Sequence, residues 1–138
     1  MATRSAGYSG TPLVQKLGIR PGMTLQVVDA PVPYEQIVEG LPPDLRFVSR
    51  AGPGTQLVHL FVREAARLDK LLTGLRERIP VDASVWVSWP KKTSGVATDI
   101  DENGVRRIAL PMGYVDVKVC AVDAVWSGLK LVVRKALR

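Results

Sequence analysis

One cysteine, Cys120, and one histidine, His59, are all that this chain of 138 residues holds of either type. A lone thiol cannot close an internal disulfide, and so few sulfur and imidazole ligands remove Cys-rich metal sites and most zinc sites. No carboxylate pair or cluster with metal-ligand spacing stands out, so no metal and no cofactor are expected. No stretch approaches the roughly 18 apolar residues of a membrane span, and the polar start, Met1 to Gly10, lacks the apolar centre of a secretory signal. The expected compartment is the cytoplasm, with no membrane partner. Aromatic residues are few, at 6%, and the net charge of +6 comes from nineteen Lys and Arg scattered among acidic residues. A nucleic-acid reader concentrates charge on one element and interleaves aromatics for stacking. Nucleic acid is therefore not the expected partner.

What is present is a hydrophobic share of 46%, enough for one core, in a length typical of one domain. Residues 1–138 read as a single domain, with residues 1–11 as an arm ordered only by docking. A short helix is expected from Pro12 to Leu17, ended by Gly18, and a first strand from Met23 to Asp29. A weak helix over Tyr34 to Glu39, a strand over Leu45 to Ser49 and a fully covered strand over Leu57 to Val62 follow. Leu68, Leu71, Leu72 and Leu75 recur at helical spacing, and that helix must end near Ile79 because Pro80 disfavours helical geometry before it. Ser84 to Trp89 is the next strand. Thr98 and Asp101 have capping-box spacing ahead of an apolar stripe at Val105, Ile108 and Ala109. Val115 to Val122 and Leu129 to Arg134 are strands joined by only about six residues, too few for a parallel crossover, which makes them an antiparallel hairpin. The pattern predicts an α/β, Rossmann-like three-layer sandwich: a mostly parallel sheet of about six strands ending in an antiparallel hairpin.

Ligands of such sheets sit beyond the carboxyl ends of the strands, which selects three loops. After the first strand, Asp29 offers a carboxylate, but Pro31 and Pro33 replace the glycines a phosphate nest would need and carry no N–H. After Trp89, the run Lys91, Lys92, Thr93, Ser94 and Gly95 sets two ammonium groups, two hydroxyls and a glycine side by side. That run suits phosphate or carboxylate, and equally a solvated crossover. In the hairpin connection, Asp123 to Gly128, Trp126 reads as a core plug or a platform for a ligand ring. His59 and Cys120 each lie inside an apolar strand and read as core residues, not as a nucleophile with its base.

Four stretches carry a resemblance: Gly7 to Leu13 (GYSGTPL), Val58 to Val62 (VHLFV), Trp86 to Lys92 (WVSWPKK), and Val117 to Asp123 (VKVCAVD) continuing through Trp126 to Lys130 (WSGLK). With them the chain resembles a bacterial family known as domain of unknown function 3052, a likeness that implies no activity. More distantly, the layout is similar to a shortened S-adenosylmethionine-dependent methyltransferase, with Met23 to Asp29 as first strand and Val115 to Arg134 as closing hairpin. That likeness implies the fold; the Pro31/Pro33 loop departs from it where glycines are expected.

The first functional reading is a non-enzymatic module holding a small anionic ligand or a protein partner on the carboxyl edge of a methyltransferase-like sheet. The alternative is a minimal enzyme using S-adenosylmethionine or a nucleotide, and a third reading is nucleic-acid binding through the distributed charge. Candidate ligand-binding residues are Lys91, Lys92, Thr93, Ser94, Gly95, Asp29 and Trp126; no catalytic residue is assigned.

Overall fold

In the computed structural model, residues 10–138 are described, so the arm expected over residues 1–11 falls mostly outside the described residues. Helices α1 (Leu13–Leu17), α2 (Tyr34–Ile37), α3 (Ala65–Arg78) and α4 (Glu102–Ala109) alternate with strands β1 (Thr24–Val28), β2 (Arg46–Phe47), β3 (Leu57–Phe61), β4 (Ser84–Pro90), β5 (Tyr114–Ala121) and β6 (Trp126–Val133). The strands form one sheet in the order β2-β1-β3-β4-β6-β5. β2, β1, β3 and β4 run parallel, and β6 is antiparallel to both β4 and β5. The expected α/β class, mixed six-stranded sheet and terminal antiparallel hairpin are all present. No helix among the described residues is long and apolar enough to cross a membrane.

Burial explains the layers. All five residues of β3 are buried, because a central strand needs cover on both faces. On one face, Leu68, Leu72 and Leu75 of α3 and Val105 and Ala109 of α4 pack on Val58, Leu60, Val85 and Val87. On the other, Leu17 of α1 and Tyr34 of α2 pack with Leu25, Leu57, Phe61, Trp86 and Trp126. Trp86 is fully buried, and its indole N–H donates to the Leu17 carbonyl at 2.9 Å, pinning α1 to the sheet. Lys92, beyond β4, is exposed.

Several boundaries differ from the sequence reading. Pro12 is the N-cap of α1, with extended ψ, and Leu13 its first helical residue. The strand expected over Leu45 to Ser49 pairs only at Arg46 and Phe47, both exposed at the sheet edge. Asp101, not Thr98, caps α4: its carboxylate accepts from the Gly104 N–H at 2.7 Å, while the Thr98 hydroxyl donates to the Arg63 carbonyl. β6 begins at Trp126, so the connection shrinks to residues 122–125. Gly128 thus lies inside β6 and not in the connection, and glycine fits there because a side chain would meet Val122 at 3.1 Å and Trp86 at 3.3 Å.

Candidate functional site

The chain runs from β1 outward to β2 and then returns to β3 on the other flank of β1, so strand order reverses between β1 and β3. Side chains at that switch point enclose a cavity of about 740 Å³ at the carboxyl ends of the strands, within the range of small-ligand sites. Phe61 and Trp126 form its apolar wall, their rings edge to face at 5.3 Å. Asp29, Arg63, Glu64, Arg67, Thr98 and Asp99 supply the polar lining.

Asp29 directly follows β1 with φ of 61°, the only positive φ outside glycine among the described residues. Aspartate tolerates this left-handed conformation better than most residues, yet at a cost of about 1 kcal/mol or more. Arg67 on α3 holds the Asp29 carboxylate, with Nη2 at 2.9 Å and Nε at 3.2 Å from Oδ2. Both side chains are about half exposed, so the pair orients the mouth of the cavity more than it stabilises the fold.

The loop before α4 closes the opposite side. Asp99 accepts the Ala65 N–H at 2.7 Å and donates its own N–H to the Arg63 carbonyl, and Thr98 donates its hydroxyl to the same carbonyl. A carboxylate of the chain itself therefore occupies the amino end of α3, where an anionic ligand would otherwise find free N–H groups.

Behind the aromatic wall lies a buried polar chain that spans three elements. The imidazole of His59 has its Nδ1 2.7 Å from the Tyr34 hydroxyl and its Nε2 2.7 Å from the Ser88 hydroxyl. Either neutral tautomer satisfies both ring nitrogens. The Phe61 ring stacks on the imidazole at 4.3 Å and 18°, so the hydroxyl-held His59 fixes one wall of the cavity. Burial pushes the His59 pKa down to about 3, keeping the ring neutral, and raises that of Tyr34. Cys120 is no partner of His59; burial raises its pKa, against smaller lowering effects from Lys16 and Lys118, and a raised thiol is a poor nucleophile.

Of the residues singled out from sequence, the structure brings Asp29 and Trp126 to one cavity. Lys91, Lys92, Thr93, Ser94 and Gly95 lie outside its lining, on a turn tied to the hairpin by the Lys91 N–H to the Val125 carbonyl at 2.7 Å. Ser94 turns its hydroxyl inward, donating to the Lys91 carbonyl at 2.6 Å and accepting the Val96 N–H. Arg63, Glu64, Arg67, Thr98 and Asp99 were not foreseen. The carboxyl-end rule applies equally to the turn after β3, where Arg63 and Glu64 stand, and could have found those two. Among the described residues no group of three His, Cys, Asp or Glu could hold a metal ion.

No family model and no curated protein matches the chain. Solved structures do. An S-adenosylmethionine-dependent methyltransferase from Aquifex aeolicus superposes with a TM-score of 0.66 at 12% identity, over 88% of each chain. Magnesium protoporphyrin IX methyltransferase from Synechocystis PCC 6803, solved with bound S-adenosylmethionine, gives 0.60 at 14% identity, over 88% of this chain and 76% of its own. The ribosomal protein L11 methylase of Lactobacillus delbrueckii subsp. bulgaricus gives 0.53 at 13%, over 88% and 74%. At such identities the similarity establishes a methyltransferase-like fold.

Proposed function

We propose that this chain is a ligand-binding domain whose switch-point cavity holds a small ring-bearing molecule with charges of both signs. The observation that carries the reading is the placement of the Phe61–Trp126 wall beside the Asp29–Arg67 pair at one cavity mouth. Trp126 and Phe61 are core residues, so apolar contact with the ring edges that reach the cavity would hold the ligand ring, and Arg63, Arg67 and the three lining carboxylates would hold the charges. A simple anion would meet Asp29, Glu64 and Asp99 there, so the small-anion reading rests on the Lys91–Ser94 turn instead. The likeness to domain of unknown function 3052 adds no activity.

The methyl donor of the structural neighbours belongs to this ligand class, with an adenine ring, a carboxylate and two cationic centres. The nucleotide-binding mode of such sheets uses N–H groups from the loop after the first strand and a carboxylate beyond the second for the ribose. Here Pro31 and Pro33 withhold N–H groups, α2 is one turn long, and β2 is followed by Val48, Ser49 and Arg50. The residues present do not fit the donor in that mode, and no methyl-transfer step follows from them. A second reading, a minimal S-adenosylmethionine- or nucleotide-dependent enzyme, is favoured by the neighbours, which support it better than they support a non-catalytic module.

Calorimetry and thermal shift of the full chain with S-adenosylmethionine, adenosine and aromatic amino acids separate the two. The expected result is stabilisation by at least one of these probes that weakens in Arg67→Ala, an exposed site whose loss leaves the fold intact, together with no submicromolar binding of S-adenosylmethionine. Submicromolar binding of that donor would overturn the misfit argued from Pro31 and Pro33 and rank the second reading above the first. Failure of every probe to bind would refute both.

A further inference from the structure

A second cavity, of about 420 Å³, lies at the amino ends of β3 and β4, about a strand length from the first. Arg20, from the turn after α1, and Lys130, from the middle of β6, both line it, with Thr55 and Ser84 at the strand starts. Lys130 is half-buried on the sheet face and reaches the left-handed Gly18 turn, its Nζ 3.9 Å from where a Gly18 side chain would begin. Its partner across the hairpin ladder is another cation, Lys118. Among the described residues, none of Arg20, Lys118 and Lys130 forms an ion pair, although Asp82 lines the same cavity.

Two cations from separate elements, Arg20 and Lys130, thus face one opening, with Lys118 beside Lys130 on the neighbouring strand and no carboxylate bound to any of the three. Burial lowers the Lys130 pKa, and the Lys118 and Arg20 charges lower it further, so the arrangement is held against its own electrostatics. Capping the end of α1 does not account for it. That helix has five residues, and Lys118 already donates to the Lys16 carbonyl at 3.2 Å.

We infer that Arg20 and Lys130, backed by Lys118, form a phosphoryl-oxyanion site at the amino end of the sheet, separate from the carboxyl-edge cavity. A doubly charged oxyanion would relieve the mutual repulsion and accept charge-assisted hydrogen bonds from two sides, with the Ser84 hydroxyl available at the rim. The phosphoryl group could belong to a small free molecule or to a nucleic-acid backbone; the chemistry at the site is the same.

The test titrates the full chain with inorganic pyrophosphate and, separately, with a short single-stranded RNA, by calorimetry at low and high salt. Lys130→Ala and Arg20→Ala should each weaken binding at least about tenfold. Lys70→Ala, which removes an exposed cation of α3 that lines neither cavity, should leave it unchanged, and circular dichroism melts show that each variant is folded. Loss of pyrophosphate binding in the first two variants supports the site and points to a small phosphorylated ligand. Loss of RNA binding alone, with a steep salt dependence, supports it and points to a backbone phosphate. No binding of either probe, or binding that Lys130→Ala and Arg20→Ala leave intact, would overturn it. Arg67→Ala acts only at the carboxyl edge, so failure there and failure here are read apart.

Discussion

His59 makes the stability of this protein depend on pH, and between about pH 7 and 5 little else titrates. In the unfolded chain its imidazole takes a proton near pH 6.5; in the fold, burial between the Tyr34 and Ser88 hydroxyls and the Phe61 ring holds it neutral down to about pH 3. Between those values the unfolded state binds the extra proton, so stability rises with pH and is lost as pH falls from 6.5. The slope is about 1.4 kcal/mol per pH unit. Acidification from pH 7.5 to 5 should therefore remove about 2 kcal/mol, and the whole window at most about 5 kcal/mol. Because the chain has one histidine, a single substitution supplies the control. Urea unfolding of the parent and of His59→Gln at pH 7.5, 6 and 5 reads the effect directly, since carboxylates titrate mainly below that range. The parent should lose stability steeply and the variant hardly at all. Equal slopes in the two proteins, or an imidazole proton resonance that titrates near 6.5 in the folded parent, would refute the reasoning.

Other outcomes follow from particular contacts. Asp99→Ala removes the carboxylate that accepts the Ala65 N–H and should cost about 1 kcal/mol in thermal unfolding, with faster hydrogen exchange in the first turn of α3. Gly113→Ala forces a side chain onto φ of 100° and against Leu137 at 2.6 Å, for an expected loss of about 1 to 2 kcal/mol in chemical unfolding. Trp86→Phe strands the Leu17 carbonyl and should cost about 1 to 3 kcal/mol, seen as a lower denaturation midpoint. Lys91→Ala/Lys92→Ala should change the midpoint by no more than about 0.5 kcal/mol, the range of ordinary surface substitutions.

The parts of the fold legible in the sequence were those written in local periodicity. The leucines of α3, the stop at Pro80 and the short span between the last two strands needed nothing beyond neighbouring residues. What escaped was set at a distance. Thr98 and Asp101 have capping-box spacing, but Thr98 is drawn off by the Arg63 carbonyl 35 residues earlier, which leaves the cap to Asp101. Gly128 reads as part of the hairpin connection, but it lies inside β6, where Trp86, from another strand, packs against it. The site divides in the same way. Asp29 and Trp126 could be named because each lies at a strand boundary, whereas the partners that give them context, Arg67 and Phe61, come from elements whose adjacency only the sheet order creates. His59 could be recognised as buried, but its two hydroxyl partners lie 25 and 29 residues away.

The place of β6 in the sheet bears on how the chain is made. It is the last of these strands to leave the ribosome, yet it lies between β4 and β5, and β5 has no other neighbour. A nascent chain that has emerged only as far as Ala121 therefore carries a β4 whose only polar residues are Ser84 and Ser88, with one bare edge, and a β5 with nothing to pair with. At ordinary elongation rates the stretch through Val133 takes on the order of a second to appear. During that interval the edge of β4 is open to any other extended chain, and a ribosome pausing there prolongs the exposure. Chaperone dependence should accordingly be concentrated on the short window before β6 emerges and pairs.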